Sequence, residues 1–197
     1  MIQHGLRLGF TGAGGTGKTT TAEHIQEALN IPFSKSASRI VYEARNLTEE
    51  KCYALSDKEK YELQFEIFNT KEILDKGQFA FVADRTLLDH WAYCLMYCGA
   101  FIPNDKYAEF EVRVREHMLT AYSHIFYFPF GYWFEKGDGV RQDHHSWQSA
   151  IDAIILGYIQ RWDLPVMEVP QMEGRLGRYN AIMEDVTGEL DNGALQG

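Results

Sequence analysis

Short apolar runs alternate along this chain with stretches in which apolar residues recur every three or four positions. This alternation predicts a parallel β-sheet with helices on both faces, a three-layer α/β fold. The predicted strands lie near residues 6–11, 31–34, 79–84, 124–129 and 164–169. The predicted helices lie near residues 18–29, 37–46, 57–75, 86–98, 105–121, 146–161 and 178–189. The nearly unbroken apolar character of two strands, Phe79–Asp84 and His124–Phe130, is typical of strands buried on both faces.

Length and composition fit one domain over residues 1–197 that buries a sizeable core. The net charge of −9, from 28 acidic and 19 basic residues, argues against a broad nucleic-acid-binding surface. Cys94 and Cys98 lie four positions apart in an apolar helical stretch, so we expect reduced core residues there. The chain shows no signal-peptide architecture and no apolar run long enough for a membrane span, which favours a cytoplasmic location and no membrane partner.

Residues 12–19 match the phosphate-binding pattern G-x-x-x-x-G-K-[ST], directly after an apolar run and before a helical pattern. The residues expected to hold a nucleoside triphosphate are Gly12, Ala13, Gly14, Gly15, Thr16, Gly17, Lys18, Thr19 and Thr20. The glycines permit positive φ angles, so that backbone N–H groups and a helix N-terminus can face one anion. Lys18 is expected to be a solvent-facing ligand of the β- and γ-phosphates, and the Thr19 hydroxyl to bind Mg²⁺.

The pair Asp84-Arg85 ends the third predicted strand, where ligands bind in an open parallel sheet. Asp84 can bind Mg²⁺ through water or accept a proton from an attacking hydroxyl, and Arg85 can clamp a phosphate or a sugar hydroxyl. The alternative for Asp84 is a helix N-cap. Thr86 and Asp89 form a capping-box pattern, which favours a capping role for Asp89 over a catalytic one.

Residues 131–148 interrupt the alternation of strands and helices with three glycines, four aromatic residues and several charges. A segment at this position can form a lid that excludes water from the γ-phosphate, and an ordinary surface loop is the alternative. His144 and His145 are adjacent and lack the spacing of metal ligands, which indicates solvated residues rather than a metal site.

The phosphate-binding loop, the Asp84-Arg85-Thr86 run and the segment 137–141 together resemble the P-loop nucleoside and nucleotide kinases. Thymidylate kinases carry an Asp-Arg pair at the end of the third strand, and deoxynucleoside kinases a Glu-Arg-Ser. The overall run most resembles compact ATP-binding proteins of bacteria and phages that are grouped with nicotinamide riboside kinase-like domains. The resemblance covers nearly the whole chain and implies strand order 2-3-1-4-5, with ATP and Mg²⁺ used in γ-phosphoryl transfer. It does not name the acceptor.

The same resemblance implies roles for individual residues. Lys18, Thr19 and Asp84 would form the triphosphate–Mg²⁺ site, and Arg141 would be the lid arginine that neutralises the moving phosphoryl group. Arg141 is otherwise a solvated loop charge. The implied catalytic set is therefore Lys18, Asp84, Arg85 and Arg141.

Acceptor and adenine contacts are also implied by position. Arg39 would bind an acceptor phosphate, and Gln64 matches the glutamine that holds a base edge in deoxynucleoside kinases. The alternative for Gln64 is an exposed helix residue. Arg175 and Arg178 lie where related kinases contact adenine.

Three functions remain open at this point. A small-molecule kinase for a nucleoside or nucleotide is favoured. A phage-type kinase that phosphorylates a hydroxymethylated base in DNA is disfavoured by the net charge of −9. A regulatory P-loop ATPase is the third function. A GTPase is disfavoured, because the chain has no Asn-Lys-x-Asp motif to recognise guanine. The oligomeric state, including a homodimer, stays open.

Overall fold

A computed structural model of the chain describes residues 5–131, 144–170 and 175–194. The five strands are β1 (Arg7–Thr11), β2 (Phe33–Ser34), β3 (Phe81–Asp84), β4 (His124–Tyr127) and β5 (Val166–Glu168). The helices in these ranges are α1 (Lys18–Leu29), α2 (Ala37–Ala44), α3 (Glu49–Ala54), α4 (Asp57–Lys76), α5 (Leu87–Cys98), α6 (Asn104–Thr120), α7 (His145–Arg161) and α8 (Arg175–Ala194). A 3₁₀ turn over Gly99–Phe101 connects α5 to α6.

The strands form one parallel sheet in the order β2-β3-β1-β4-β5, as the sequence predicts. In the register, Gly9 of β1 pairs with Ala83 of β3 and Ile125 of β4. The strand order reverses between β1 and β4, and the phosphate-binding loop leaves β1 at this point. Open α/β sheets bind ligands at such a switch point, beyond the carboxyl ends of the strands.

Alternate residues of each strand enter different cores, one on each face of the sheet. Phe81 and Ala83 pack with residues of α4 to α7, whereas Val82 packs with residues of α1 and α8. Trp91 is fully buried in the first core, as expected of a core residue rather than a base-stacking one. The two cores confirm the three-layer α/β arrangement.

A glycine in the middle of β1 has a specific packing reason. A Cβ atom built on Gly9 would lie 2.9 Å from the ring of Tyr122, with the Thr86 methyl group at 3.0 Å. Because Tyr122 and Thr86 are both buried, neither has open space to move into. Any larger residue at position 9 would therefore push β1 away from the base of α5.

A buried polar cluster links α4, α6 and the loop before β4. Asp75 accepts hydrogen bonds from Lys71 Nζ at 2.7 Å, His117 Nε2 at 2.9 Å and the Tyr122 hydroxyl at 2.5 Å. Burial alone would raise the pKa of Asp75, but the Lys71 charge and these hydrogen bonds together lower it. Asp75 is thus held as a carboxylate beneath Gly9 and Tyr122.

The structure differs from the sequence prediction in one missed helix and in the bounds of several elements. Helix α3 was not predicted, because six residues are too few to show a helical repeat; Thr48 caps its start. Helix α8 begins at Arg175, three residues before the predicted start. Residues 145–148 form the first turn of α7, so this part of the predicted lid segment is helical.

Two further predictions concern the cysteine residues and membrane-spanning helices. Cys94 and Cys98 are buried free thiols whose Sγ atoms lie 3.7 Å apart, which confirms them as core residues. Across residues 5–131, 144–170 and 175–194, no helix has the length and apolar character needed to cross a membrane.

Candidate nucleotide-binding site

The loop between β1 and α1 has the backbone conformation that its glycines were predicted to provide. Gly12, Gly15 and Gly17 adopt φ angles of 143°, 76° and 84°. At Gly12 a Cβ atom would also lie 2.5 Å from the carbonyl oxygen of Phe128, so the loop can pass β4 only without a side chain here. The turn delivers the chain directly into the N-terminus of α1 at Lys18.

The expected position of Lys18 in solvent is wrong. The side chain is 4% exposed, and its ammonium group donates to the carbonyl oxygens of Gly12, at 2.7 Å, and Ala13, and to the Thr16 hydroxyl at 3.1 Å. The loop carbonyls surround the ammonium group and satisfy it within the loop itself. The cation is nevertheless held in the concave side of the loop, where a bound phosphate would be placed.

Thr19 and Asp84 meet, although they are 65 residues apart in sequence. The Thr19 hydroxyl donates to Asp84 Oδ2 at 2.8 Å. The pairing follows from the register of β1 with β3, which sets Phe10 beside Asp84 and so brings the end of β3 to the start of α1. A hydroxyl and a carboxylate are oxygen ligands suited to Mg²⁺, which keeps several waters and takes its other ligands from the phosphates. The described ranges contain no group of three or more His, Cys, Asp or Glu residues that could hold a metal ion.

Arg85 is buried and has a strained backbone. Its φ angle is 95°, a conformation that side chains other than glycine rarely adopt and that often marks functional sites. The guanidinium group lies 4.9 Å from the centre of the Tyr93 ring. Burial would lower the pKa of Arg85, but Tyr93, Asp89 and Asp84 raise it above its ordinary value, so the group is a permanent cation beside Asp84.

Asp89 is fully buried and has a double role. Its Oδ2 accepts from the N–H and the hydroxyl of Thr86, both at 2.8 Å, so the predicted capping interaction at the start of α5 is present. Its Oδ1 accepts from the N–H of Gly12 at 2.9 Å. The second contact, which the sequence analysis did not anticipate, ties the phosphate-binding loop to the corner that carries Asp84 and Arg85.

Gln148 and Tyr93 were not candidates from the sequence, yet Gln148 contacts the loop and Tyr93 contacts Gln148. Gln148, in the first turn of α7, is 2% exposed, and its Oε1 accepts from the Gly14 N–H at 2.6 Å. The same oxygen accepts from the Tyr93 hydroxyl at 3.0 Å. No local pattern signals this arrangement, because positions 14 and 148 are brought together only by the fold.

Asp152, also on α7, was missed as well. Its Oδ2 accepts from the Tyr127 hydroxyl at 3.0 Å, at the carboxyl end of β4. Burial raises the pKa of Asp152 most, and the charge of Lys18 and the hydrogen bonds from Tyr127 and Phe130 lower it only in part.

The residues predicted to contact adenine lie on α8. The Arg178 Nη1 atom donates to the carbonyl oxygen of Thr16 at 2.6 Å and would lie 2.8 Å from a Cβ atom on Gly17. Arg178 therefore supports the outer side of the loop, and an adenine contact stays a prediction. Arg175 is the first residue of α8.

The predicted acceptor residues lie on α2 and α4. Gln64 is 6% exposed, so the exposed alternative is wrong. Arg39 is an exposed residue in the first turn of α2, and no observation tests its role. Tyr42 on the same helix is half-buried, and burial together with the neighbouring Cys52 raises its pKa above its ordinary value.

Most of the predicted lid over residues 131–148, including its Arg141, falls on residues 132–143, outside the described residues. His144 is exposed and precedes α7, whereas His145 begins that helix and its ring lies 4.8 Å from the ring of Phe130. Neither histidine belongs to a metal-binding group in the part of the chain that the structure describes.

Solved structures of several kinases share this fold. Deoxyadenosine kinase from M. mycoides with bound dCTP has a TM-score of 0.68 and 16% identity, covering 93% of this chain and 100% of that one. A NadR protein in complex with NR has a TM-score of 0.64 and 19% identity over 91% of this chain, which spans only 50% of NadR. Thymidylate kinase from Ehrlichia chaffeensis has a TM-score of 0.58 and 14% identity, covering 94% of this chain and 100% of that one. At these identities the likeness establishes the fold.

No curated protein matches the sequence. A family model described as an AAA domain matches residues 7–175, which contain all five strands, the phosphate-binding loop and the Asp84-Arg85 corner. The match extends over most of the chain, and the chain belongs to this AAA domain family.

Proposed function

We propose that this protein is an ATP- and Mg²⁺-dependent kinase that transfers the γ-phosphoryl group to a hydroxyl of a nucleoside or nucleotide. The observation that carries the proposal is the contact of Thr19 with Asp84 at 2.8 Å, directly beside a phosphate-binding loop with Lys18 inside it. Kinases of nucleosides and nucleotides are among the proteins that share the fold, which supports this acceptor class.

The role proposed for each residue follows from its position in the site. The backbone N–H groups of the loop and the N-terminus of α1 would bind the phosphates, with Lys18 turning from the loop carbonyls towards them. Thr19 would hold Mg²⁺, with Asp84 binding the ion through a water molecule, and the ion would neutralise charge on the transferred group. Arg85, a permanent cation at the same edge, would clamp the acceptor beside Asp84.

The bond changes are those of an in-line displacement. The acceptor oxygen forms a bond to the γ-phosphorus while the bond between that phosphorus and the β–γ bridging oxygen breaks, leaving ADP. The proton of the acceptor hydroxyl would pass to the carboxylate of Asp84. Because the transition state has little covalent chemistry for the protein to perform, positioning and charge supply most of the rate enhancement.

The test is a transfer assay with the purified chain, γ-labelled ATP and a panel of nucleosides and nucleoside monophosphates, with and without Mg²⁺. We expect label in one acceptor class, only with Mg²⁺, and at least ~10²-fold less label with Lys18→Ala. Hydrolysis of ATP that is independent of every acceptor would refute the kinase proposal and leave a regulatory P-loop ATPase. Transfer to a hydroxymethylated DNA oligonucleotide but to no small molecule would refute the proposed acceptor class.

A further inference from the structure

Two hydrogen-bond donors converge on one oxygen atom at the mouth of the phosphate-binding loop. The Gly14 N–H and the Tyr93 hydroxyl both donate to Oε1 of Gln148, at 2.6 and 3.0 Å. All three residues lie on different elements: Gly14 in the loop, Tyr93 in α5 and Gln148 in α7. The donors therefore define a fixed position in space, which an acceptor atom must occupy.

The surroundings of this position are those of an anion site. The Lys18 ammonium group is held within the same loop, against the carbonyl oxygens of Gly12 and Ala13. The Arg85 guanidinium lies over the Tyr93 ring, 4.9 Å from its centre. For these two donors a neutral amide oxygen is a weaker acceptor than a phosphate oxygen, because hydrogen bonds to charged acceptors are roughly twice as strong.

The contact is also sterically tight. A Cβ atom on Gly14 would lie 2.9 Å from Gln148 Oε1, 3.1 Å from its Cδ and 3.2 Å from its Nε2. The amide group therefore fills the space directly above Gly14, so a phosphate group and the Gln148 amide cannot both lie there.

We propose that Gln148 Oε1 occupies the position of a γ-phosphate oxygen in the nucleotide-free protein, and that ATP displaces it to bind the Gly14 N–H and the Tyr93 hydroxyl. Tyr93 is then a γ-phosphate ligand, and Gln148 is a competitor that selects for ligands with a third phosphate able to replace it. This inference rests on the proposed function in that ATP is the donor, but it concerns ATP binding alone and needs no acceptor.

The proposal separates ATP from ADP, because ADP has no γ-phosphate at this position. Removing the competitor in Gln148→Ala is expected to tighten ATP binding about 3–10-fold, and to leave ADP binding within about 2-fold. Removing the ligand in Tyr93→Phe is expected to weaken ATP binding by a similar factor, again with ADP unchanged. In Gln148→Glu the carboxylate would bind the two donors more strongly and repel phosphate, so ATP binding should weaken more than ADP binding.

The measurement is isothermal titration of the full-length chain with a non-hydrolysable ATP analogue and with ADP, both with Mg²⁺. Gln160→Ala, an exposed glutamine on the same helix, and Tyr97→Phe, one turn from Tyr93 on α5, are the matched controls. Thermal unfolding of each variant checks that the fold is retained.

Each outcome decides the question. Opposite changes in ATP affinity for Gln148→Ala and Tyr93→Phe, with constant ADP affinity, would support the proposal. Weaker binding of both nucleotides to Gln148→Ala would overturn it and make Gln148 a structural support or a direct ligand. Wild-type binding of ATP and ADP with no shift in any variant would overturn this inference alone, whereas a wild-type protein that binds neither would overturn the proposed function with it.

Discussion

Substitution of Asp89 by alanine is expected to destabilise the protein far more than the loss of an ordinary helix cap. The carboxylate is fully buried and accepts three hydrogen bonds, from the Gly12 N–H, the Thr86 N–H and the Thr86 hydroxyl. In Asp89→Ala the Thr86 hydroxyl can rotate towards another acceptor. The backbone N–H groups of Gly12 and Thr86 cannot, and they remain buried without the acceptor that Asp89 provided. Each such group costs about 1–3 kcal/mol, which gives about 2–6 kcal/mol in total.

Asp89→Asn refines this estimate. An amide retains one acceptor oxygen but turns an NH₂ group towards the other donor, so we expect roughly half of the alanine effect. If the retained oxygen faces Thr86, the Gly12 N–H loses its partner and the phosphate-binding loop is loosened. Nucleotide affinity should then fall in the asparagine variant at temperatures where the protein is still folded.

The assay is urea unfolding of the wild type and both variants, followed by tryptophan fluorescence and circular dichroism, with the m-value as a test for an unchanged unfolding transition. The chain contains a matched control. Glu59 forms the same capping box at the start of α4, where its Oε2 accepts from the Ser56 N–H at 2.8 Å, but it is exposed. In Glu59→Ala the freed N–H group returns to water, so the loss should be a small fraction of that in Asp89→Ala. A loss below about 1 kcal/mol for Asp89→Ala, or one equal to that of Glu59→Ala, would refute the reasoning.

Three other changes have defined outcomes. Asp84→Asn should reduce phosphoryl transfer ~10²-fold or more with little change in melting temperature, and a sharp fall in melting temperature with normal activity per folded molecule would make Asp84 a structural cap. The folded-state pKa of Asp75 is lowered, so its contribution to stability is present above the unfolded pKa, near ~4, and is lost as the pH falls below it. Urea unfolding at several pH values should therefore show that the free energy of unfolding falls less steeply with acid in Asp75→Asn than in the wild type. An identical acid dependence would contradict this. Gly9→Ala should cost about 1–3 kcal/mol in urea unfolding because its methyl group meets the Tyr122 ring at 2.9 Å, and an unchanged free energy of unfolding would show that the ring can move.

The local chemistry of this fold can be predicted from the sequence. The phosphate-binding loop, the Asp84-Arg85 corner and the capping boxes each depend on residues within a few positions of one another, so their patterns appear in the sequence. Helix α3 could not be predicted in the same way, because its six residues are shorter than two turns. Strands β3 and β4 were found because their apolar runs are nearly continuous, which also indicates that both of their faces are covered.

The non-local contacts of the site could not be predicted. Lys18 was expected to face solvent as a phosphate ligand, but the loop offers its ammonium group three oxygen acceptors. Gln148 lies 134 residues from Gly14, and its hydrogen bond depends on how α7 packs beside α5. A single sequence contains no periodic or spacing signal for a pair of this kind.

The hydrogen bond from Arg178 to Thr16 has a consequence for the synthesis of the protein on the ribosome. The two residues are separated by 162 positions, and at a translation rate of 5–20 residues per second the second emerges about 8–32 s after the first. During that interval the loop lacks its support from α8. Nascent chains should therefore acquire high nucleotide affinity late, after β1, α1 and β3 have been made, so that a bound nucleotide would stabilise the nearly finished domain rather than its early folding intermediates.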